Sequence, residues 1–374
     1  MRLSTNAASR LRVRNALLLA AVIAAASCDS PAAPAAKRRP SDLSGPWVVA
    51  APATVDINAA LLSSAYANAR AMPGMRSLLV VRRGKLVGEE YFNGNRADSV
   101  NHLRSVTKTV TALLVGIAVR RGSIRSTAQT LPDVIPPTVA VIPDDKRQIT
   151  VKNLLTMTGG FQWNEVQNVT EYNNWALAPD QINYILQRPM SDAPGARFNY
   201  NSAATHLLSV ILTEASGKST HAFAQEHLFT PLGITELSWE TDNRGYNNGG
   251  AGLALKPRDL AKIGSLILQE GYSGSTELVP SDWIREMTTA KSYGVWRYGD
   301  IGLLDYGDLI WLGRVRGNDA YVCEGYGGQV VLIVPSLDLV VVATTTWRYL
   351  GSDAQPQAAA VIDLIMDQVI PAVN

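Results

Sequence analysis

Three short polar motifs hold the residues that could do chemistry in this chain. The first is Ser-Val-Thr-Lys at 105–108, a serine three residues before a lysine. Positions i and i+3 share one face of a helix, so the amine of Lys108 can reach the hydroxyl of Ser105. A serine hydroxyl is a poor nucleophile until a base removes its proton. The pair predicts an activated serine; the alternative is a polar helix start with a solvated lysine.

The residues after Ser105 predict the helix that would position it. Apolar side chains recur at Val106, Val110, Leu113, Leu114 and Ile117, a spacing typical of a helix with one buried face. The serine would open this helix, where unpaired N–H groups and a partial positive charge can stabilise an oxyanion.

The second motif is Pro-Gly-Ala-Arg-Phe-Asn-Tyr-Asn-Ser at 194–202, which leads into a predicted helix over 203–214. A protonated lysine beside Tyr200 would favour its phenolate. The tyrosine could then act as general base toward Ser105 and as general acid toward a leaving group. The alternative is that Tyr200 only packs; in either case Ser202 is expected to cap the helix.

The third motif, Gly-Tyr-Gly-Gly-Gln at 325–329, enters an apolar run over 330–334. Glycines at a strand start indicate a bulge or a close approach to the backbone; the alternative is a plain turn between two strands. The four histidines do not offer a better route, because there is no G-x-S-x-G segment and His206, His221 and His227 lie within helical patterns. Without paired cysteines we expect no zinc site.

The remaining pattern predicts an α+β fold. Strands are expected at 77–82, 86–92, 309–314, 321–324, 330–334 and 339–345, and helices at 55–72, 106–121, 150–156, 179–186, 203–214, 221–228, 258–269 and 354–369. An isolated hairpin is marginal in water, so both chain ends should share one antiparallel sheet of about five strands, flanked by the terminal helices.

This arrangement divides the chain into a sheet domain, 45–104 with 300–374, and an inserted, mainly helical domain over 105–299. Ser105 falls where the chain crosses between the two. Concave sites favour such interfaces, and we expect the active site there.

The N-terminal pattern predicts a secretory signal over 1–27. Four arginines precede the apolar run 16–26, which is too short to span a bilayer, and small residues lead to Cys28. Its end resembles a bacterial lipobox, so Cys28 is expected to be lipidated and residues 28–44 to form an extended tether. The expected location is periplasmic and membrane-anchored; the alternative is cleavage elsewhere, with Cys28 unmodified.

Charge and cysteine content exclude two classes of protein. The formal charge of +2 includes the four arginines of the signal, so the chain from Cys28 onward carries −2, which does not indicate nucleic-acid binding. Only two cysteines, Cys28 and Cys323, are present, so this is not a disulfide-stabilised scaffold.

In this order, the three motifs resemble those of the serine β-lactamase and penicillin-recognising superfamily. The similarity spans about 77–372 and includes the segments 149–160 and 249–259. The branch it resembles holds class C β-lactamases, D-alanyl-D-alanine carboxypeptidases, family VIII esterases and 6-aminohexanoate-dimer hydrolases. The implied fold is α/β transpeptidase-like.

The resemblance also implies roles for individual residues. Ser105 would be acylated while Lys108 and Tyr200 share the proton transfers, and water would release the acyl group without a metal or organic cofactor. The backbone N–H groups of Ser105 and Gln329 would hold the oxyanion, with Tyr326, Gly327 and Gly328 completing the third motif.

Two departures from the lactamase pattern bear on the substrate. The tyrosine motif there ends in asparagine, whereas Asn201 and Ser202 stand in swapped order here. The side-chain amide that would touch a substrate carbonyl is therefore displaced, and both residues are possible substrate-binding residues. Tyr326 replaces the lysine of Lys-Thr-Gly, and a neutral phenol cannot replace an ion pair with a substrate carboxylate; only Arg348 offers a distant charge. Possible pocket walls, each equally compatible with the core, are Tyr172, Trp175 and Tyr293.

We therefore expect a serine hydrolase that cleaves a small amide or ester through an acyl-enzyme at Ser105. Two alternatives remain at this point: a D-alanyl-D-alanine carboxypeptidase or weak class C-like β-lactamase, and a non-catalytic cell-envelope binding lipoprotein. The sequence does not indicate the oligomeric state.

Overall fold

The computed structural model of the protein describes residues 39–348 and 350–373. The expected signal peptide and Cys28 lie outside the described residues. The last part of the expected tether is packed, which corrects that prediction for residues 39–44. The side chain of Leu43 is buried, and the backbone N–H groups of Ser41 and Leu43 donate to the side chains of Gln269 and Ser273.

The strands of the described part of the chain lie mainly near its two ends, and most of the helices lie between them. The α-helices are α1 Ala59–Ala71, α2 Val106–Arg120, α3 Leu131–Val134, α4 Val151–Leu155, α5 Val169–Ala176, α6 Gln181–Leu186, α7 Ser202–Ser216, α8 Thr220–Ala224, α9 Pro257–Leu268, α10 Ser281–Met287 and α11 Ala354–Leu364. The strands are β1 Met75–Arg82, β2 Lys85–Tyr91, β3 Asn101–His102, β4 Leu237–Trp239, β5 Leu253–Leu255, β6 Tyr272–Ser273, β7 Thr276–Glu277, β8 Ser292–Tyr298, β9 Gly302–Tyr306, β10 Trp311–Val315, β11 Asn318–Gly325, β12 Gln329–Val334 and β13 Leu339–Thr345.

One antiparallel sheet holds both ends of this part of the chain, and the fold is α+β as expected. Its strand order is β2-β1-β13-β12-β11-β10-β9-β8, so the N-terminal hairpin pairs with the last strand. The sheet has eight strands rather than about five. The edge strand β8 falls inside the range assigned to the helical domain, because all but one of its residues are exposed or only partly buried and they lack the apolar alternation of a buried strand.

Two layers of helix cover the sheet. On one face, Gly264 of α9 lies against Val331 and Val340 of the central strands, and α2 contacts β11 and β12. On the other face, α1 and α11 pack on each other and Gly328 lies against Val361 of α11. The serine motif is therefore held on the α2 and α9 side of the sheet.

Helix α2 is buried on every side rather than on one face, because α7 packs on it opposite the sheet. All residues from Val106 to Ala118 are buried. Its three threonines are hydrogen-bonded, as buried hydroxyls must be. Thr109 and Thr111 donate to the carbonyls of Leu309 and Gly249, and Thr107 accepts from the N–H of Leu253. These bonds fix the helix that carries Ser105 and Lys108.

No helix in residues 39–348 and 350–373 is long and apolar enough to cross a membrane.

Candidate active site

Ser105 stands at the N-cap of α2, but its hydroxyl does not cap the helix. Instead its Oγ lies 2.8 Å from Nζ of Lys108, one turn further along. The serine is partly exposed, so a substrate can reach it. The geometry that the spacing predicted is present, with a buried lysine in place of a solvated one.

Lys108 is the most enclosed charged group of the site, with only 1% of the residue exposed. Its Nζ contacts three oxygens: Ser105 Oγ and Ser202 Oγ, each at 2.8 Å, and the carbonyl of Gly250 at 2.7 Å. Burial lowers the pKa of Lys108 to about 8, with the charge of Glu165 opposing this shift. A neutral amine is therefore accessible near neutral pH.

The carbonyl of residue 250 can approach Lys108 because Gly250 has no side chain. A Cβ at this position would lie 2.6 Å from the backbone oxygen of Ser202, a clash that only a backbone shift could relieve. Glycine thus allows the 249–251 segment to lie against the start of α7 and to supply the third oxygen to Lys108.

Tyr200 completes the group at the nucleophile. Its ring stacks on Trp311 at 5.7 Å between centroids, and Lys108 Nζ lies 4.9 Å from the ring centroid. Its hydroxyl lies next to the Ser105 side chain. Burial raises the pKa of Tyr200 well above its usual value, and the nearby Tyr306 adds to this. The hydroxyl stays protonated, so the predicted phenolate is wrong.

The two residues after Tyr200 exchange the roles that the sequence suggested. Asn201 is the N-cap of α7, and its side chain accepts from the N–H of Ala204 at 2.8 Å. Ser202, expected to cap, is instead the first helical residue, and its hydroxyl accepts from Lys108. The asparagine precedes the helix, where a short side chain best reaches the free N–H groups, which leaves the serine free to face the lysine.

Sequence reasoning missed Glu165, which lies on the loop before α5. Its carboxylate accepts from the N–H of Ser202 at 2.8 Å and from the hydroxyl of Ser202 at 2.5 Å. The indole of Trp163 donates to it at 2.7 Å. Glu165 therefore orients the Ser202 hydroxyl toward Lys108. No local pattern marks it, because the contact spans 37 residues of chain.

Sequence reasoning also missed Glu324, the residue before the third motif. Burial raises its pKa to about 7, and the charge of Lys108 acts against that shift. A carboxyl at this position thus adds to the field around the amine.

The third motif lies beside the serine, as predicted. A Cβ on Gly325 would meet the backbone oxygen of Leu103 at 2.4 Å, so the strand end approaches the entry to α2 closely. Within the described residues, the backbone N–H groups of Ser105 and Tyr326 donate to no acceptor. Gln329 pairs with Gly325 in the sheet, and its buried side chain binds Thr345.

The other predicted wall residues divide between core, rim and surface. Trp175 is fully buried and donates to the carbonyl of Gln181, so it is a core residue. Tyr172 lies under the guanidinium of Arg104 at 5.5 Å. Arg348 is exposed, 4.9 Å from the ring of Trp347, and Tyr293 on β8 is 75% exposed.

The histidines take no part in the contacts of Ser105. His206 is buried with its Nε2 3.1 Å from Asp242, which agrees with a packed residue. His102 accepts the N–H of Arg104 at Nδ1, so its ring proton lies on Nε2, which faces Glu240 at 3.3 Å. In the part of the chain described, no group of three or more His, Cys, Asp or Glu is arranged to hold a metal.

Known proteins are similar to this chain in sequence and in fold. The 6-aminohexanoate-dimer hydrolase of Paenarthrobacter ureafaciens is 24% identical over 291 residues, 72% of this chain and 72% of that protein. A putative 6-aminohexanoate-dimer hydrolase from Bacillus anthracis superposes with a TM-score of 0.70 at 19% identity, over 88% of this chain and 89% of that one.

A third similar protein is EstCE1, a hydrolase with promiscuous acyltransferase activity. It superposes with a TM-score of 0.65 at 15% identity, over 84% of this chain and 98% of that one. The family described as Beta-lactamase matches residues 60–365. The chain therefore belongs to the beta-lactamase family, whose members are generally hydrolases.

Proposed function

We propose that the protein is a serine hydrolase that cleaves a small amide or ester through an acyl-enzyme at Ser105. One observation carries this proposal. The amine of Lys108 lies 2.8 Å from the Ser105 hydroxyl, and its three partners are oxygens without a formal charge. Burial without an ion pair lowers the pKa of Lys108 to about 8, which suits a general base at neutral pH.

Acylation follows from these contacts. The neutral amine of Lys108 accepts the proton of Ser105, and Oγ forms a bond to the substrate carbonyl carbon. As the tetrahedral intermediate collapses, the bond to the leaving nitrogen or oxygen breaks. Tyr200, protonated and next to Ser105, gives its proton to the leaving group and regains one from Lys108.

The oxyanion of the intermediate would be held by two backbone N–H groups. We assign one to Ser105, whose N–H has no acceptor among the described residues. The other comes from the third motif, where the resemblance places the donor at Gln329. Donors aimed at the developing charge contribute a large share of such a rate enhancement.

Deacylation reverses the proton path. A water molecule in the place of the leaving group gives a proton to Tyr200, which passes its own proton to Lys108, as the water oxygen attacks the ester carbonyl. Lys108 then gives this proton to the Ser105 oxygen as the bond from that oxygen to the carbonyl carbon breaks. Every group that this step needs is already present for acylation, as microscopic reversibility requires.

A panel of three substrates tests the proposal: a p-nitrophenyl ester, a linear amide and a chromogenic cephalosporin, with Ser105→Ala as the control. We expect turnover of the ester and the amide and none above background in Ser105→Ala. Cephalosporin turnover well above both would favour the β-lactamase alternative. No turnover, with no covalent adduct after treatment with a fluorophosphonate, would instead favour the non-catalytic binding lipoprotein.

A further inference from the structure

The residue that precedes the nucleophile is an arginine with an unusual backbone conformation. Arg104 has φ +50, in the left-handed region that side chains other than glycine, asparagine and aspartate rarely adopt. The hydrogen bond from its N–H to His102 holds this conformation. Strain of this kind persists where the surrounding structure fixes it, often at functional sites.

Three aromatic rings surround the guanidinium of Arg104. Its Cζ lies 4.6 Å from the ring centroid of Trp347, 5.5 Å from that of Tyr172 and 5.8 Å from that of Tyr326. Cation–π contacts of this kind hold a guanidinium in place without neutralising it. The charge is therefore fixed beside the nucleophile and at the third motif.

No carboxylate pairs with this charge in the described part of the chain. Arg104 makes no ion pair there, and its buried Nε donates to no acceptor. Glu240, whose pKa the charge of Arg104 helps to lower, faces His102 instead. A partly buried guanidinium without a carboxylate partner favours an anion that can accept two hydrogen bonds.

The surface next to this arginine is also cationic. A cavity of about 340 Å³ lies on the side of Trp347 and His102, and its lining includes Arg76 and Arg348. An anionic ligand at Arg104 would therefore meet a favourable field at the mouth of the cleft.

We propose that Arg104, held by Trp347, Tyr172 and Tyr326, binds a carboxylate of the substrate close to the scissile bond. This inference rests on the proposed function and names its substrate class: small amides or esters that carry a carboxylate. In this proposal, the positive charge that Tyr326 does not supply to a substrate carboxylate comes from an arginine on another element. The distant Arg348 is not needed for this role.

Two matched ester pairs provide the kinetic test. In the first pair the charge lies in the acyl group: mono-p-nitrophenyl glutarate is compared with its methyl ester. In the second pair the charge lies in the leaving group: the acetate of 3-hydroxybenzoate is compared with the acetate of 3-hydroxybenzamide. In one of the two pairs, the wild-type enzyme should have the higher kcat/KM for the charged ester. Arg104→Gln should lower the ratio of the charged to the neutral kcat/KM in that pair about tenfold or more, the usual worth of a hydrogen bond to a charge. Arg314→Gln, which removes an exposed arginine at the far end of β10, should leave the ratio unchanged.

A binding measurement separates this inference from the proposed catalysis. Saturation-transfer NMR on Ser105→Ala protein should detect hexanoate but not hexanamide, and the hexanoate signal should fall when Arg104→Gln is added. If Arg104→Gln changes neither the kinetic ratio nor this signal, the arginine has only a structural role and the inference is overturned. Carboxylate binding without any ester turnover would uphold the inference and reject the proposed function. As a control, circular dichroism of Arg104→Lys checks that the fold is retained.

Discussion

Two lysine clusters in this protein differ in the partners of the amine. Lys108 meets two hydroxyls and a carbonyl. Lys152 on α4 lies 2.7 Å from the carboxylate of Asp308 and 2.8 Å from that of Glu286. Lys152 is partly exposed, whereas the Asp308 side chain is fully buried.

The partners decide what each cluster can do. Hydrogen bonds from Lys152 and Lys291 lower the pKa of Glu286 to about 2, so the ion pairs join α4 to α10 as a structural network. Lys108 has no carboxylate in contact, and desolvation dominates its pKa. A lysine that can lose its proton thus needs burial among neutral oxygens, and a lysine that holds structure needs carboxylates.

The largest expected effect is on the rate when Lys108 is replaced. Lys108→Met removes the base, so kcat/KM for the p-nitrophenyl ester should fall by about a thousandfold, within the range for general-base catalysis. The thermal midpoint should stay within about 4 °C, because a desolvated charge is replaced by an apolar chain. Lys108→Arg should be equally inactive, since arginine cannot give up its proton; activity in that variant would mean that only the charge matters.

Next in size is the effect of removing the Tyr200 hydroxyl. Tyr200→Phe should lower the rate on a linear amide by about a hundredfold. The loss should be smaller for a p-nitrophenyl ester, because that leaving group needs little protonation. Equal losses on both substrates would contradict the role of Tyr200 as the acid, and parallel kinetics on the two substrates decide the point.

Replacing Lys152 should act on stability instead. Lys152→Met leaves the buried carboxylate of Asp308 unpaired, so urea unfolding should show a loss of about 2 to 3 kcal/mol, toward the low end for a buried pair because Lys152 is partly exposed. The kcat of the folded enzyme should change by less than about threefold, well below a general-base contribution. A large loss of kcat with unchanged stability would erase the contrast between the clusters; Lys152→Arg is the matched control.

The smallest effect concerns the pH profile. The negative charge of Glu165 raises the pKa of Lys108, so Glu165→Gln should lower that pKa. Activity requires the neutral amine, and the acidic limb of kcat/KM against pH should therefore move to lower pH by roughly half a unit. Glu226→Gln, at an exposed carboxylate, should not move it. A shift to higher pH would show that Glu165 does not act through its charge.

The contrast between local and distant contacts explains which parts of the site were predictable. The i, i+3 spacing of Ser105 and Lys108 is set by the helix alone, and the pattern at 325–329 marks a strand entry, so both follow from sequence. Gly250 contacts Lys108 directly, and Glu165 acts on it through its charge and through Ser202. Both belong to segments 57 or more positions away, and nothing in their neighbourhood indicates these interactions. The exchange between Asn201 and Ser202 was missed because the helix begins one residue earlier than its pattern suggests.

The fold shows the same limit. The buried strands and the terminal helices are strongly patterned, and their places in one sheet follow from the instability of a lone hairpin. The edge strand β8 has a mixed sequence with one buried residue, so its register depends on β9 rather than on its own residues. The aromatic enclosure of Arg104 combines the helix entry, α5 and the two strand ends, a juxtaposition that only the tertiary structure creates.

Covalent labelling tests the central claim most directly. Wild-type protein is treated with a fluorophosphonate over a range of pH, and the adduct is located by intact mass and peptide mapping. We predict one adduct, on Ser105, whose rate of formation rises with pH and levels off above about 8, the pKa of Lys108, and which Ser105→Ala and Lys108→Met lack or form far more slowly. The absence of an adduct, an adduct on another residue, or a rate that Lys108→Met leaves unchanged would contradict the account.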